Sequence, residues 1–355
     1  MRTLMKPRFG TPRELVDGLH QRSDGARGRL WEAVREPVAR LMRELIARHR
    51  LDPDANRLTL HALHLAETWM RTRPPGEFER LSWDAFRNAV LMQIARMALQ
   101  PFGGRGGRAV AGPAPLPECP AYQNETFSLP FERLGGLWFG GDWYGGRQTA
   151  DGSLWVIVAD VTGHGYYAYL LASVLPNVWD ACWKGAPADV RPAGLLLAMH
   201  ELLESCLPEG VYAECTLVRL SPEGEATVAP AGGSRLLLRR KGEPASLLKL
   251  RGGWLGLLPP SPADQRSWTL AEGDELLLGS DGAFDQLAEL DGAGVPDRPT
   301  EASLLEDVRR LLRQALKRGP QKDDITLVLL RRVGAGRTAA VPISSLREGA
   351  DDVSV

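Results

Sequence analysis

The sequence has few cysteines, no charge of one sign in excess and no long apolar run, and each of these absences excludes a class of protein. Its four cysteines, Cys119, Cys182, Cys206 and Cys215, form no C-x-x-C pair. We therefore expect buried thiols in a reducing compartment rather than a disulfide framework or a zinc site. The formal net charge of −1 gives no reason to expect nucleic acid as a partner.

A membrane segment is not expected either. Residues 1–8 lack the apolar core of a signal peptide, and no uninterrupted apolar run approaches the roughly 18 residues of a membrane span. The sequence therefore predicts a cytoplasmic protein with no membrane partner.

The first hundred residues carry the pattern of amphipathic helices. Residues 11–14 combine a capping threonine, a proline at the first helical position and a glutamate three residues after the cap. Apolar residues then recur at helical spacing over 30–48, 58–71 and 82–99. This pattern predicts a small bundle over residues 1–100. Bundles ahead of a catalytic domain commonly mediate dimerisation or the sensing of a partner, and we expect one of these regulatory roles.

Two histidines of this region suggest a metal site only weakly. His61 and His64 are three residues apart on one predicted helix, a spacing that can place both imidazoles on one ion. No acidic third ligand follows at a matching spacing, so we favour a solvated or half-buried helix face. His200, on a later apolar helix, is expected to be structural.

Composition divides the rest of the chain into three parts. Residues 101–124 are rich in glycine and proline and predict a linker. Residues 125–332 alternate short strands and turns with a few helices, and residues 333–355 read as a disordered acidic tail. Three strands of the middle part are expected to pair consecutively as an antiparallel meander: 214–220, 226–229 and 235–240.

Two aspartates of the middle part are expected to lie close together. The apolar runs 137–139 and 154–159 read as strands that pair side by side through glycine-rich turns. Asp142 follows the first run and Asp160 the second, so their carboxylates would become neighbours. Two bare carboxylates repel each other unless a cation lies between them.

Further aspartates at strand ends indicate a metal centre. Asp281 and the pair Asp323-Asp324 also flank apolar strands at turns. One aspartate in a turn is common, but four such places are harder to explain without a shared role. Oxygen ligands favour Mg²⁺ or Mn²⁺ over zinc. Two such ions about 3.5–4 Å apart can activate a shared water and clamp a phosphoryl group, which hydrolysis of a phosphate ester requires.

Four blocks of the sequence together resemble the signature motifs of the metal-dependent protein phosphatases, the protein phosphatase 2C-like family. The resemblance is strongest to the bacterial branch typified by the sporulation phosphatase SpoIIE, and it covers roughly residues 125–332. It implies an α+β fold, a four-layer α-β-β-α sandwich of two antiparallel sheets, here preceded by the helical bundle. The blocks are 140–143 (Gly-Gly-Asp-Trp), 159–165 (Ala-Asp-Val-Thr-Gly-His-Gly), 278–282 (Leu-Gly-Ser-Asp-Gly) and 323–326 (Asp-Asp-Ile-Thr).

The resemblance also implies a role for each aspartate around two Mn²⁺ or Mg²⁺ ions. Asp160 would bridge the ions beside the attacking water, and the Val161 carbonyl would complete one shell. Asp281 and Asp323 would hold the first ion. Asp142 would hold the second ion, directly or through water.

Other residues near these motifs have less defined roles. Asp324 is a further candidate metal ligand, although its side chain should point to the opposite face if the strand has already begun. His164 either protonates the leaving serine or threonine oxygen or only bonds a loop carbonyl. The phosphate-binding arginine of eukaryotic relatives has no evident match. Arg147 is a conceivable substitute, although a solvated turn residue is the simpler interpretation.

The activity implied is that of a metal-dependent phosphatase acting on phosphoserine or phosphothreonine of a regulatory protein, a small phosphorylated regulator of the anti-sigma-antagonist type. One departure keeps alternatives open, because residues 230–233 (Pro-Ala-Gly-Gly) replace the branch's Asn-Ala-Gly-His block. The chain could instead be a weak or inactive module of the same fold that binds a phosphoprotein. A third possibility is a metal-dependent hydrolase of nucleotides or small phosphate esters.

Overall fold

The structure, a computed structural model, describes most of the bundle and nearly all of the middle part of the chain. The predicted tail beyond residue 334, the first part of the predicted linker and His164 lie outside the described residues. The described residues are 10–49, 55–83, 85–87, 89–90, 93–94, 115–134, 137–163, 165–204, 207, 210–290, 296 and 300–334.

The N-terminal part is helical, as predicted. Helices α1, α2 and α3 cover Pro12–His20, Asp24–His49 and Ala55–Arg71, and a 3-10 turn follows at Pro75–Phe78. α1 begins at the expected cap: the Thr11 hydroxyl accepts from the Glu14 N–H at 3.2 Å, and the Glu14 carboxylate accepts from the Gly10 N–H at 2.7 Å. The predicted helix at 82–99 is described only in part.

The rest of the described chain alternates strands with helices. Strands β1 to β12 are Tyr122–Leu129, Glu132–Leu134, Leu137–Phe139, Asp142–Gln148, Leu154–Val161, Ala213–Leu220, Glu225–Ala231, Arg235–Arg239, Ala245–Lys249, Arg266–Thr269, Glu275–Gly279 and Ile325–Arg332. Helices α4 to α8 are Gly165–Ala172, Leu175–Gly185, Pro192–Glu204, Asp281–Ala288 and Leu304–Arg318. No described helix is long and apolar enough to span a membrane.

Two five-stranded antiparallel sheets form the centre of the molecule. The first sheet has the order β1-β12-β11-β8-β9, and the second has the order β10-β7-β6-β5-β4. Helices α7 and α8 pack on the outer face of the first sheet, and α4 to α6 pack on the outer face of the second. The predicted α+β sandwich of two antiparallel sheets between helical layers is confirmed.

Strand β5 shows why its sequence reads as a continuous apolar run. Its side chains alternate between two cores because successive residues of a strand point to opposite faces. Val156 and Val158 pack between the two sheets, whereas Trp155 and Ile157 pack against the helices outside the second sheet. Burial of each such side chain stabilises the fold by roughly 1.5–3 kcal/mol, so β5 is a rigid base for Asp160 near its end.

The N-terminal helices are built onto the second sheet's helical layer. One apolar cluster runs from Leu15 and Leu30 of the bundle through Leu170 of α4 to Ile157 of β5. α3 contacts both α4 and α6. At the turn between α1 and α2, Arg22 donates to the Glu201 carbonyl of α6 at 2.7 Å. The boundary predicted between bundle and catalytic domain therefore separates segments that share one core.

The same packing corrects the interpretation of the histidine pair. His61 and His64 are buried, with 6% and 8% of their surface exposed, so the expected solvated or half-buried face is wrong. α3 contacts α1 and α2 as well as α4 and α6, so several neighbouring helices cover it. The ring of His64 meets that of Trp31 edge to face, with centroids 5.1 Å apart.

Two of the expected strand pairings are also wrong. β3 pairs with β2 in a separate hairpin, and it is the next strand, β4, that lies beside β5. The meander breaks after β7, because β6 pairs with β7 in the second sheet whereas β8 pairs with β11 in the first. The chain crosses between the sheets at Gly232, whose φ of 85° is in the left-handed region that glycine adopts without strain.

The turn between β4 and β5 depends on Asp151. Its carboxylate accepts from the Thr149 hydroxyl at 2.6 Å, the Ser153 N–H at 3.1 Å and Arg219 at 2.9 Å. These bonds, that of Thr149 foremost, hold the pKa of Asp151 well below its usual range. A carboxylate whose pKa is lowered by folding stabilises the folded state at any pH above its unfolded-state pKa of about 3.9. This stabilisation is lost as the pH falls towards the pKa of the folded state.

We therefore expect Asp151→Ala to lower the free energy of unfolding by about 1 kcal/mol at pH 7, with a smaller difference from the wild type at pH 3. Urea denaturation at the two pH values measures both. Asp189→Ala, which changes an exposed aspartate, serves as the control and should stay within about 0.5 kcal/mol. Equal stabilities of Asp151→Ala and wild type at pH 7 would contradict this role.

Candidate metal centre

The pairing of β4 with β5 places two aspartates directly opposite each other. Asp142, the first residue of β4, is the register partner of Asp160, near the end of β5. Side chains of opposed residues in an antiparallel pair share one face, with Cβ atoms about 4.5–5.5 Å apart. The predicted proximity of these two carboxylates is therefore found, although Asp142 begins a strand instead of following one.

The first sheet brings two further aspartates to the same place. Asp281 begins α7 directly after β11, and Asp323 lies just before β12, the neighbour of β11. Ser280 and Thr326 join the two segments: the Ser280 N–H donates to the Thr326 carbonyl, and the Thr326 N–H donates to the Ser280 hydroxyl, both at 3.0 Å.

Electrostatics show that these carboxylates interact. The pKa of Asp160 lies well above its ordinary value, first because burial penalises the charged form and then because Asp142, Asp281 and Asp323 carry the same charge. Burial raises the pKa of Asp142 as well, and the nearby charge of Asp324 adds to the effect. The structure thus brings together all five aspartates that the sequence singled out.

Several carboxylate oxygens of this cluster have no well-aligned hydrogen-bond donor. Both oxygens of Asp142, one of Asp160 and one of Asp281 are buried without a hydrogen bond of good geometry among the described residues, although the hydroxyls of Thr326 and Ser280 lie close enough to Asp142 to oppose the rise of its pKa. Buried charged oxygens without partners are costly, and oxygen-only sites are those that Mg²⁺ and Mn²⁺ occupy. The donor set therefore fits such cations.

The carboxylates of the cluster lie farther apart than the ligands of one metal ion do. Among the residues that the structure describes, no group of three or more His, Cys, Asp or Glu side chains is spaced as the ligands of one metal ion would be. The carboxylates are neighbours whose side chains would have to turn to close around an ion. Side-chain rotation is a small adjustment on strands that are fixed in register, so the orphaned oxygens still indicate a cation site.

Asp324 has a positioning function in the structure. Its two oxygens accept from the backbone N–H groups of Phe131 and Gly141, each at 2.7 Å. A Cβ added at Gly140 would lie only 2.5 Å from an Asp324 oxygen, so the glycine lets the carboxylate approach. These bonds fix the chain directly ahead of Asp142.

We expect Asp324→Asn to lower the free energy of unfolding by about 1–3 kcal/mol, because one carboxylate oxygen becomes an amide that faces a backbone N–H. Thermal unfolding measures this loss. Asp323→Asn is the matched control: its Oδ1 accepts from the Asp324 N–H at 2.8 Å, which an amide oxygen can also do. The control should lose Mn²⁺ affinity with little loss of stability. Equal losses of stability and of Mn²⁺ affinity in both variants would contradict the separate roles of Asp324 and Asp323.

The remaining predicted residues have different outcomes. The Val161 carbonyl lies beside Gly141 at the Asp142 end of the cluster, and its role as a ligand stays a prediction. The conceivable role of Arg147 in phosphate binding is wrong. Arg147 lies five residues beyond Asp142, about 17 Å along β4, and its guanidinium lies 5.3 Å from the centre of the Trp183 ring. His200 is buried and its Nδ1 accepts from the Gly256 N–H at 3.2 Å, a structural contact.

Sequence reasoning missed Glu214. This residue is the register partner of Asp160 on β6. Its carboxylate accepts from the Gly233 N–H at 3.1 Å and from the Trp254 indole N–H at 2.9 Å. Glu214 therefore connects the aspartate cluster to the segment where the chain crosses between the sheets. This segment is the one that lacks the Asn-Ala-Gly-His block. A glutamate inside a strand gives no signal of this kind in the sequence.

The family model described as Stage II sporulation protein E (SpoIIE) matches residues 150–333, and no curated protein matches the chain. Similar solved structures include the SiaA-PP2C domain of Pseudomonas aeruginosa, with 22% identity and a TM-score of 0.46 over 59% of this chain and 85% of that one.

Two other solved structures have similar values. The S. agalactiae serine/threonine phosphatase has 18% identity and a TM-score of 0.47, over 59% of this chain and 99% of that one. The phosphatase domain of SpoIIE from Bacillus subtilis, with a fragment of its regulatory domain, has 15% identity and a TM-score of 0.47, over 59% and 63%. With identities of 15–22% and TM-scores of 0.46–0.47, these similarities carry no argument about this chain.

Proposed function

Because the chain belongs to the Stage II sporulation protein E (SpoIIE) family of phosphatases, we propose that it is a metal-dependent serine/threonine protein phosphatase that acts on a phosphorylated regulatory protein. One observation carries the proposal: aspartates from both sheets meet at one place with buried oxygens that have no well-aligned donors among the described residues. A cluster of this kind is costly to keep unless it serves to bind cations.

Each aspartate has a distinct part in the proposed site. Asp160 and Asp142 would hold the ions from the second sheet, and Asp281 and Asp323 would hold them from the first, with the Val161 carbonyl completing a shell. When bound, two Mn²⁺ or Mg²⁺ ions supply a water of lowered pKa and a clamp for phosphoryl oxygens. Asp160 would orient the attacking water as the catalytic residue.

The remaining parts of the proposal concern the leaving group and control. His164 would protonate the serine or threonine oxygen as it leaves. The bundle over residues 1–100 would control activity through a homodimer or a sensor partner. Support comes from α4, which begins just after the turn that follows Asp160 and packs against α3. We propose a cytoplasmic location and a substrate of the anti-sigma-antagonist type.

A second candidate is favoured by one observation, the Pro-Ala-Gly-Gly sequence at residues 230–233. Without the polar block that relatives carry there, the fold could bind a phosphoprotein with little or no turnover. This candidate shares every structural feature described so far, and only activity separates the two.

The deciding experiment compares a phosphoserine peptide with a nucleoside triphosphate, each with Mn²⁺ or with a chelator. Release of phosphate from the peptide alone, and only with Mn²⁺, is the expected result. Peptide binding without phosphate release would favour the second candidate. Faster release from the nucleotide than from the peptide would replace both with a nucleotide hydrolase.

A further inference from the structure

An arginine lies beside the aspartate cluster, in a position that the sequence analysis did not single out. A narrow cleft between the sheets is lined by Asp160 and Glu214 from the second sheet and by Arg235 and Asp281 from the first. Arg235 is the first residue of β8, directly after the crossing between the sheets, and is the register partner of Gly279 in β11. It thus places a permanent positive charge next to a group of carboxylates.

The guanidinium of Arg235 is held in place by contacts that use only some of its hydrogen-bond donors. Its Nη2 donates to the main-chain carbonyl of Asp281 at 3.3 Å, and its Nη1 donates to the Asp285 carboxylate at 2.6 Å. The ring of Phe284 lies 5.5 Å below it. Of the five N–H donors of a guanidinium, two therefore have partners among the described residues.

The one carboxylate that pairs with Arg235 among the described residues is exposed. The side chain of Asp285 is 66% exposed, whereas that of Arg235 is 23% exposed. Exposed ion pairs contribute little and are screened by salt. Arg239, four residues further along β8, shows the contrast: it is buried and donates to Glu275, Asp307 and the Ala302 carbonyl. Arg239 is committed to the fold, and Arg235 is not.

We propose, on the basis of the proposed function, that Arg235 binds the phosphoryl group of the phosphoprotein substrate and orients it at the aspartate cluster. A phosphoryl dianion that enters beside carboxylates is stabilised by a cationic side chain in addition to the ions of the proposed function, and the planar fork of arginine matches two phosphoryl oxygens. The phosphoryl group would take the place of the exposed Asp285 carboxylate, while the Asp281 carbonyl and Phe284 keep the guanidinium oriented.

The test compares Arg235→Ala, Arg235→Lys and Asp285→Asn with wild type on a phosphoserine peptide at saturating Mn²⁺. For Arg235→Ala we expect KM to rise about tenfold to a hundredfold with little change in kcat, because the contact exists in the ground state and in the transition state. The inhibition constant of inorganic phosphate should rise in parallel. Arg235→Lys, which keeps the charge but loses the fork, should be intermediate.

Asp285→Asn is the matched control, since it breaks the same ion pair from the other side. Its KM should equal that of wild type or fall, because a competitor for the guanidinium is removed. An equal rise of KM in Asp285→Asn and Arg235→Ala would reduce the pair to a structural bridge and overturn the proposal, as would an unchanged KM in Arg235→Ala. Melting temperatures show whether each variant is folded. If Arg235→Ala is not folded, the KM of Arg235→Lys decides the proposal.

The proposal can be decided even if the proposed function fails. If wild type releases no phosphate from the peptide, its affinity for the phosphopeptide is measured by fluorescence anisotropy with Mn²⁺ and compared with that of Arg235→Lys and Arg235→Ala. A loss of at least about tenfold in Arg235→Ala supports phosphoryl binding by Arg235 in a non-catalytic module. Equal affinities overturn it.

Discussion

Asp160→Asn is expected to lower the rate of Mn²⁺-dependent phosphopeptide hydrolysis by about a thousandfold or more. Asp160 lies among Asp142, Asp281 and Asp323 and is the proposed bridge between the ions. Metal ions supply several kcal/mol of stabilisation to a phosphoryl-transfer transition state, and each 1.36 kcal/mol corresponds to about a tenfold change in rate. Initial rates of phosphate release, measured over a range of Mn²⁺ concentrations, give the result.

Two controls separate this effect from simple unfolding. Asp151→Asn changes an aspartate at the opposite end of the same hairpin and should keep its activity. Without metal, Asp160→Asn should melt no lower than wild type, because it removes one of several mutually repelling buried charges. Activity within tenfold of wild type in Asp160→Asn would exclude a two-ion centre that is bridged by this residue.

Arg239→Met is expected to lower the free energy of unfolding by about 3–5 kcal/mol, because it removes the buried counter-ion of Asp307 and one of the two arginines that hold Glu275, the other being Arg331. Arg239 donates to Glu275 at 2.7 Å, to Asp307 at 2.8 Å and to the Ala302 carbonyl at 2.7 Å. These bonds join β8 and β11 to the start of α8. Urea denaturation measures the loss.

The matched control for Arg239→Met is Arg310→Ala. Arg310 lies near the same carboxylate of Asp307, at 3.7 Å, but its side chain is 60% exposed. Exposed pairs contribute about 0–1 kcal/mol, so this variant should remain close to wild type. Losses of equal size in the two variants would show that burial does not set the strength of this network.

Much of the sandwich could be predicted from local sequence. The strands at 154–161 and 275–279 are apolar runs bounded by turns, and the aspartates that end them mark the site. The assignment of strands to sheets could not be predicted in the same way. β7 and β8 are both apolar and joined by a short turn, so nothing local shows that the chain passes from one sheet to the other at Gly232.

The supporting contacts of the site were beyond sequence reasoning for a related reason. Asp324 bonds the backbone N–H of Phe131, 193 positions away, and backbone groups carry no residue-specific signal. Arg235 and Glu214 look like ordinary strand residues. Strand pairing places Glu214 opposite Asp160, and the stacking of the two sheets brings Arg235 to the same cleft. The chemistry was visible in the aspartates, whereas the groups that position it were not.

The apolar cluster shared by α1–α3, α4–α6 and β5 limits how the bundle could control the proposed activity. Detachment of the bundle would expose to water the apolar surfaces of α4 and α6 that contact α3. This exposure costs roughly 25 cal/mol for each square ångström of apolar surface. Release of a whole domain is therefore an expensive way to switch this protein. Under the proposed control, a signal would act by sliding or turning helices that stay in contact.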